Sequence, residues 1–166
     1  MKKLSNIILL LALAGLGYWL WTVFFPNPQQ VIRNRLNKLA RLASFSPGEG
    51  NISRISKIQR MGRLLAEDVQ VIIDVPGTEI QTIKSRQELM QAAMAAPRFA
   101  NGLKAEFLDM NIELGSDTQS AIVDLTLKAK IGGESDLIVQ ELKFTMKKIN
   151  NDWLITRVET VKTLKP

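Results

Sequence analysis

The chain has 166 residues, with 22 Lys and Arg against 16 Asp and Glu, no histidine and no cysteine, for a formal net charge of +6. Without cysteine, a disulfide, a thiolate zinc site and lipid acylation of a lipobox cysteine are all excluded. The charge is uneven: residues 1–66 hold ten cations against the single acid Glu49, whereas residues 67–166 hold twelve against fifteen acids.

The first element is an apolar run from Ile7 to Phe25, interrupted only by Thr22. Roughly 19 residues at about 1.5 Å each match the ~30 Å hydrocarbon core of a bilayer. The run predicts a single transmembrane anchor over residues 1–26, with Tyr18, Trp19 and Trp21 suited to an interfacial belt. A second reading is a secretory signal: Met1-Lys2-Lys3 is a charged head, and Ala12-Leu13-Ala14 resembles a small-residue cleavage site. Cleavage there would leave the apolar stretch Gly15–Trp21 as the new terminus, which favours the uncleaved anchor. Lys2 and Lys3 favour a cytoplasmic head, while Arg33, Arg35, Lys38 and Arg41 pull the other way. The short head directly against the span decides, so the expectation is a single-pass protein of the cell membrane with its domain on the extracytoplasmic side, periplasmic in a bacterium.

Residues 27–166 fit one compact domain, since about 140 residues bury some two-thirds of their unfolded surface. Asn27-Pro28 places a cap before a proline at the first helical position. In the helix it opens, Ile32, Leu36, Leu39 and Ala43 share one face. The loop Ser46–Asn51 ends that helix, and a second carries Ile55, Ile58, Gly62 and Leu65 on one side. After Glu67-Asp68, Val69–Ile73 reads as a β-branched strand closed at Pro76-Gly77, and a short strand follows near Glu79–Ile83. Ser85-Arg86-Gln87-Glu88 is a capping box that starts a third helix, which stops before Pro97. Long strands then succeed one another at hairpin spacing, which predicts antiparallel pairing. The first changes phase at Phe107-Leu108, the mark of a bulge. The second alternates cleanly through Ala121, Val123, Leu125, Leu127, Ala129 and Ile131. The third carries Leu142, Phe144 and Met146, and Trp153-Leu154-Ile155 opens the last.

The order α-α-β-β-α-β-β-β-β resembles the nuclear transport factor 2-like superfamily. The resemblance rests on Leu64–Val69 before the first strand, Ile83–Leu89 at the third helix and Asn151–Ile155 after the final turn, and it spans roughly residues 28–163. It implies an α+β, cystatin-like or SnoaL-like cone, a bent antiparallel sheet packed on about three helices. The superfamily contains isomerase-, dehydratase- and cyclase-like enzymes as well as non-catalytic binding domains, so fold leaves function open. Ser85 stands where many relatives have glycine. The enzymes rely on tyrosine, histidine or both; this chain has no histidine, and its one tyrosine, Tyr18, lies in the apolar run.

That leaves carboxylates. Asp74, Asp109, Glu113, Asp124 and Glu141 lie on or beside strands, and Asp124 is the candidate cavity acid, able to act as a base if buried. Its alternative is an outward position paired with Lys128, Lys130 or Lys143. No catalytic, metal or cofactor site is expected. Arg33, Arg35, Lys38 and Arg41 are candidate contacts for anionic lipid headgroups, or else a solvated helix back. Nucleic acid is not an expected partner, because Phe45 is the only aromatic in the basic stretch beyond the anchor. The preferred expectation is a membrane-anchored, non-catalytic interaction module, with a protein partner or a second copy on its sheet. The alternative is a binding protein or minimal enzyme for a small apolar molecule held inside the cone.

Overall fold

A computed structural model describes residues 14–17, 27–74, 80–95, 101–133 and 137–161. Among these, no helix is long and apolar enough to cross a membrane. The expected anchor lies outside the described residues, apart from the helical stretch 14–17. The chain continues as helix α1 (Pro28–Ala43), α2 (Asn51–Gly62), strands β1 (Leu65–Ile73) and β2 (Gln81–Ile83), α3 (Arg86–Ala95), β3 (Leu103–Leu114), β4 (Ser120–Ile131), β5 (Leu137–Ile149) and β6 (Asp152–Thr160).

Local chemistry sets the helix ends. The Asn27 side chain accepts a hydrogen bond from the Gln29 amide at 3.0 Å, and Pro28 occupies the first helical position. The capping box forms at α3, where the Glu88 amide donates to Ser85 Oγ at 3.2 Å and the Glu88 carboxylate accepts from the Lys84 amide at 3.0 Å. The acid thus reaches one residue further back than the cap itself. On α1 the buried stripe is Ile32, Leu36, Ala40 and Leu42, with Leu39 and Ala43 half-buried. On α2 only Ile58 and Gly62 are buried, and Ile55 is exposed. That helix ends at Gly62, so Leu65 opens β1 instead of extending the helical face. A Cβ at Gly62 would meet Met90 Sδ at 2.6 Å, so a larger residue there would push the end of the Met90 side chain aside where α3 crosses.

The six strands form one sheet in the order β2-β1-β6-β5-β4-β3. Its pairs are antiparallel except β1–β6, which is parallel, with Val71 beside Val158. The expected all-antiparallel sheet is therefore a mixed one. Hairpin turns force β3 to β6 to alternate in direction, but β1 and β6 are remote in sequence and no turn constrains them. In β3 the register breaks between Leu108 and Asn111, with Asp109 at φ 52°. The bulge lies just past the expected Phe107-Leu108 slip.

One face of the sheet packs against the helices. Ile32 and Leu36 of α1 share one buried cluster with Val69, Val123, Leu125, Phe144, Met146, Trp153 and Ile155, each 4% exposed or less. Phe107 stands edge-on to Phe144 with centroids 5.6 Å apart. No polar or charged residue is buried among the described residues. Burial of about 25 cal/mol per Å² of apolar surface is what holds this layer together.

Candidate functional site

An edge strand exposes a row of unpaired backbone groups, and β3 is one edge of this sheet. Helix α1 covers that edge with polar contacts along its length. Gln29 Nε2 donates to the Ile112 carbonyl at 3.2 Å and Arg33 donates to the Met110 carbonyl at 3.1 Å. Ser44 Oγ accepts from the Ala105 amide at 3.0 Å, and Phe45 exchanges two backbone hydrogen bonds with Leu103 at 2.7 and 2.8 Å. Arg35 ties the same helix to the start of the interior strand β6, donating to the Trp153 carbonyl at 3.0 Å and pairing with Asp152.

These contacts divide the four cations singled out in the sequence. Arg33 and Arg35 are half-buried and tie α1 to the sheet, whereas Lys38 and Arg41 are exposed. Spacing on the helix gave no signal of the difference, because the carbonyls involved lie 77 and 118 residues away.

Around the α1–α2 loop, Lys57 joins several groups. Its ammonium donates to the Ser44 carbonyl and to the Glu49 carboxylate, each at 2.8 Å, and lies 5.4 Å from the centre of the Phe45 ring. Arg54 sits over the same ring at 5.8 Å. Lys57, then Ser53, hold the Glu49 carboxyl down from its ordinary 4.5 to about 2.

Beside this loop an open cleft of about 650 Å³ is lined by Arg41, Phe45, Leu103, Lys104, Lys130 and Ile131, among others. Gly132 makes part of its floor, and a Cβ there would lie 1.7 Å from the Asn101 carbonyl oxygen. The cleft lies at the rim of the sheet, where it reaches the buried side chains of Phe45 and Ile131.

Asp124 lies on the outer face. Its neighbours Val123 and Leu125 point into the core, so the strand alternation turns its side chain to solvent. It is 47% exposed and 3.9 Å from Lys143. A cavity acid was the sharper expectation for Asp124, and the observed position is the outward, lysine-paired alternative. Asp109, Glu113 and Glu141 are likewise exposed, and Asp74 is half-buried at the end of β1 with its amide donating to Thr160 Oγ1 at 2.8 Å. Among the described residues no group of three or more acidic, histidine or cysteine side chains is placed to hold a metal.

No protein-family profile matches the chain, and no curated protein sequence matches it. Solved structures do. A protein with a cystatin-like fold from Novosphingobium aromaticivorans, described as nuclear transport factor 2-like, superposes with a TM-score of 0.61 at 15% identity, over 89% of this chain and 88% of that one. The domain has the cystatin-like fold of nuclear transport factor 2-like proteins. A domain of unknown function from Nostoc punctiforme matches with a TM-score of 0.63 at 14% identity, over 85% of this chain and 80% of that one. A candidate scytalone dehydratase from N. aromaticivorans gives 0.56 at 15% identity, over 82% and 84%. Similarity at this level establishes the fold and carries no activity with it.

Proposed function

We propose that the chain is a non-catalytic interaction module of the cell envelope, held at the membrane by its leading apolar segment. The observation that carries this reading is the chemistry of the cone interior. In the superfamily the space between helices and sheet is where ligands and reacting groups reside. Here it is filled by Leu125, Phe144, Met146, Trp153 and their neighbours, and no polar residue is buried among those described. A general acid or base has to stand within about 3 Å of the group it protonates or deprotonates, or reach it through one water. The carboxylates described above stand on the sheet's outer face or at strand ends. With no histidine and no cysteine in the chain, the side chains left for such a role are few.

The tether rests on the residue 7–25 run, whose length and composition suit a bilayer span. The test is made on the full chain in its own membrane. Alkaline carbonate extraction should leave a full-length polypeptide in the membrane pellet, and photo-cross-linkers placed on outer-face positions should yield protein adducts. A shortened, freely soluble product would refute the tether. Turnover of a small apolar carbonyl compound that is lost on Asp124→Asn would refute the non-catalytic reading.

A further inference from the structure

At one end of the sheet the outer face carries an ordered array of cations and apolar side chains. Strand register sets it out in two rows. Lys104 of β3 lies directly opposite Lys130 of β4, which lies opposite Leu137 of β5. In the next row Glu106 lies opposite Lys128, which lies opposite Val139. Lys104 and Lys130 are exposed, Leu137 is 48% exposed and Val139 is 59% exposed. Glu106 is the acid of the array, and the Lys104 ammonium 2.8 Å away lowers its pKa. Lys104 and Lys130 also line the rim cleft, where Arg41 adds a further exposed cation beside Phe45, Leu103 and Ile131.

Two features of this array work against the isolated fold. Like charges directly opposite in an antiparallel pair are destabilising, and Lys104↔Lys130 is such a pair, offset in part by the Lys104–Glu106 ion pair. Leu137 and Val139 leave about half of their surface in solvent, and that half gains nothing from burial. Local violations of folding rules of this kind concentrate at functional surfaces.

The array also stands far from the tether. Helix α1 runs back along β3, with Gln29 at Ile112 and Ser44 at Ala105. Sixteen helical residues cover roughly 24 Å, so the cationic rim and the point where residues before Asn27 enter lie at opposite ends of the domain.

We propose that this surface, from the Arg41 cleft across Lys104, Lys130 and Lys128 to Leu137 and Val139, docks an acidic segment of a protein partner in which carboxylates alternate with apolar side chains. The assignment rests on the reading of the chain as an interaction module and names the kind of partner. The lysines would pair with carboxylates, which relieves their mutual repulsion, and Leu137 and Val139 would be covered by the intervening apolar groups. Paired rim charges act mainly on encounter rate and partner choice, with steep salt dependence.

The test uses the full chain in detergent and a fluorescein-labelled peptide of alternating Glu and Leu, read by anisotropy. Saturable binding that weakens with added salt is expected. Lys130→Glu should weaken it on the order of tenfold and should improve binding of the matching Lys-Leu peptide. Its unfolding midpoint should be no lower than the parent's, because an acid at that position faces Lys104, so lost binding cannot be ascribed to lost structure. E134Q/D136N removes two acids from the segment between β4 and β5 and should not weaken peptide binding, and weakening by that variant would overturn the assignment. Equal affinity for the acidic and basic peptides, no effect of Lys130→Glu, or displacement of the peptide by phosphatidylglycerol vesicles would each overturn it too. Absence of peptide binding by a chain that remains membrane-bound and inert towards substrates would remove the docking assignment alone. Substrate turnover would remove the module reading itself.

Discussion

The two faces of strand β4 make the sharpest contrast in the molecule. Inward, Ala121, Val123, Leu125, Ala129 and Ile131 are each 8% exposed or less. Outward, Ile122, Asp124, Thr126, Lys128 and Lys130 meet solvent and one another's charges. The inner face is devoted to cohesion, and under the proposed reading recognition falls to the outer face and its rim. This separation is what distinguishes a packed scaffold from a cone that houses a ligand, although both can share one backbone.

Substitutions that test the contrast should produce effects of very different size. Phe144→Ala on the inner face should cost about 3–5 kcal/mol of unfolding free energy, while Thr145→Ala beside it should stay within about 0.5 kcal/mol. Urea denaturation of both variants measures this, and comparable losses would mean that the faces are not so divided. Next comes the loop that joins the helices. Lys57→Met removes the donor to the Ser44 carbonyl and the partner of Glu49, and should cost about 1–2 kcal/mol.

Glu49 gives the same loop a pH signature. Its carboxyl titrates at about 2 in the folded chain and at an ordinary 4.5 when unfolded. Between those values the unfolded chain binds the extra proton, so stability rises with pH across that window. This contribution is complete above about 4.5 and is lost as pH falls towards about 2. Thermal unfolding between pH 2 and 5 should show that slope, and Glu49→Gln should flatten it. The smallest effect belongs to the outer face: Lys130→Glu should raise stability by a few tenths of a kcal/mol by ending the repulsion from Lys104. A fall in stability would show that Lys130 serves the fold.

Much of the fold could be read from the sequence, because its signals are local. Asn27-Pro28, the Ser85–Glu88 box and the alternation of β4 each announce an element within a few residues. The parallel β1–β6 pair could not be read in this way, since no turn joins those strands. The end of α2 is hidden for another reason: Leu65 continues the helical spacing of Ile58 and Gly62, yet pairing with Ile155 makes it a strand residue. The candidate site was legible only in part. Alternation alone puts Asp124 on the outer face, opposite Val123. The commitment of Arg33 and Arg35 to distant carbonyls, and the placing of Lys104 against Lys130, depend on register between strands, which the period of either strand alone does not encode.

The central claim is that the space between sheet and helices is closed to ligands. Methyl resonances of Val123, Leu125, Met146 and Ile155, followed while planar apolar carbonyl compounds are titrated into the full chain, test it most directly. The account predicts no saturable shift at these four residues at any concentration the compounds reach in water. A saturable shift shared by all four would mean that the cone opens to a small molecule, and the claim would fall.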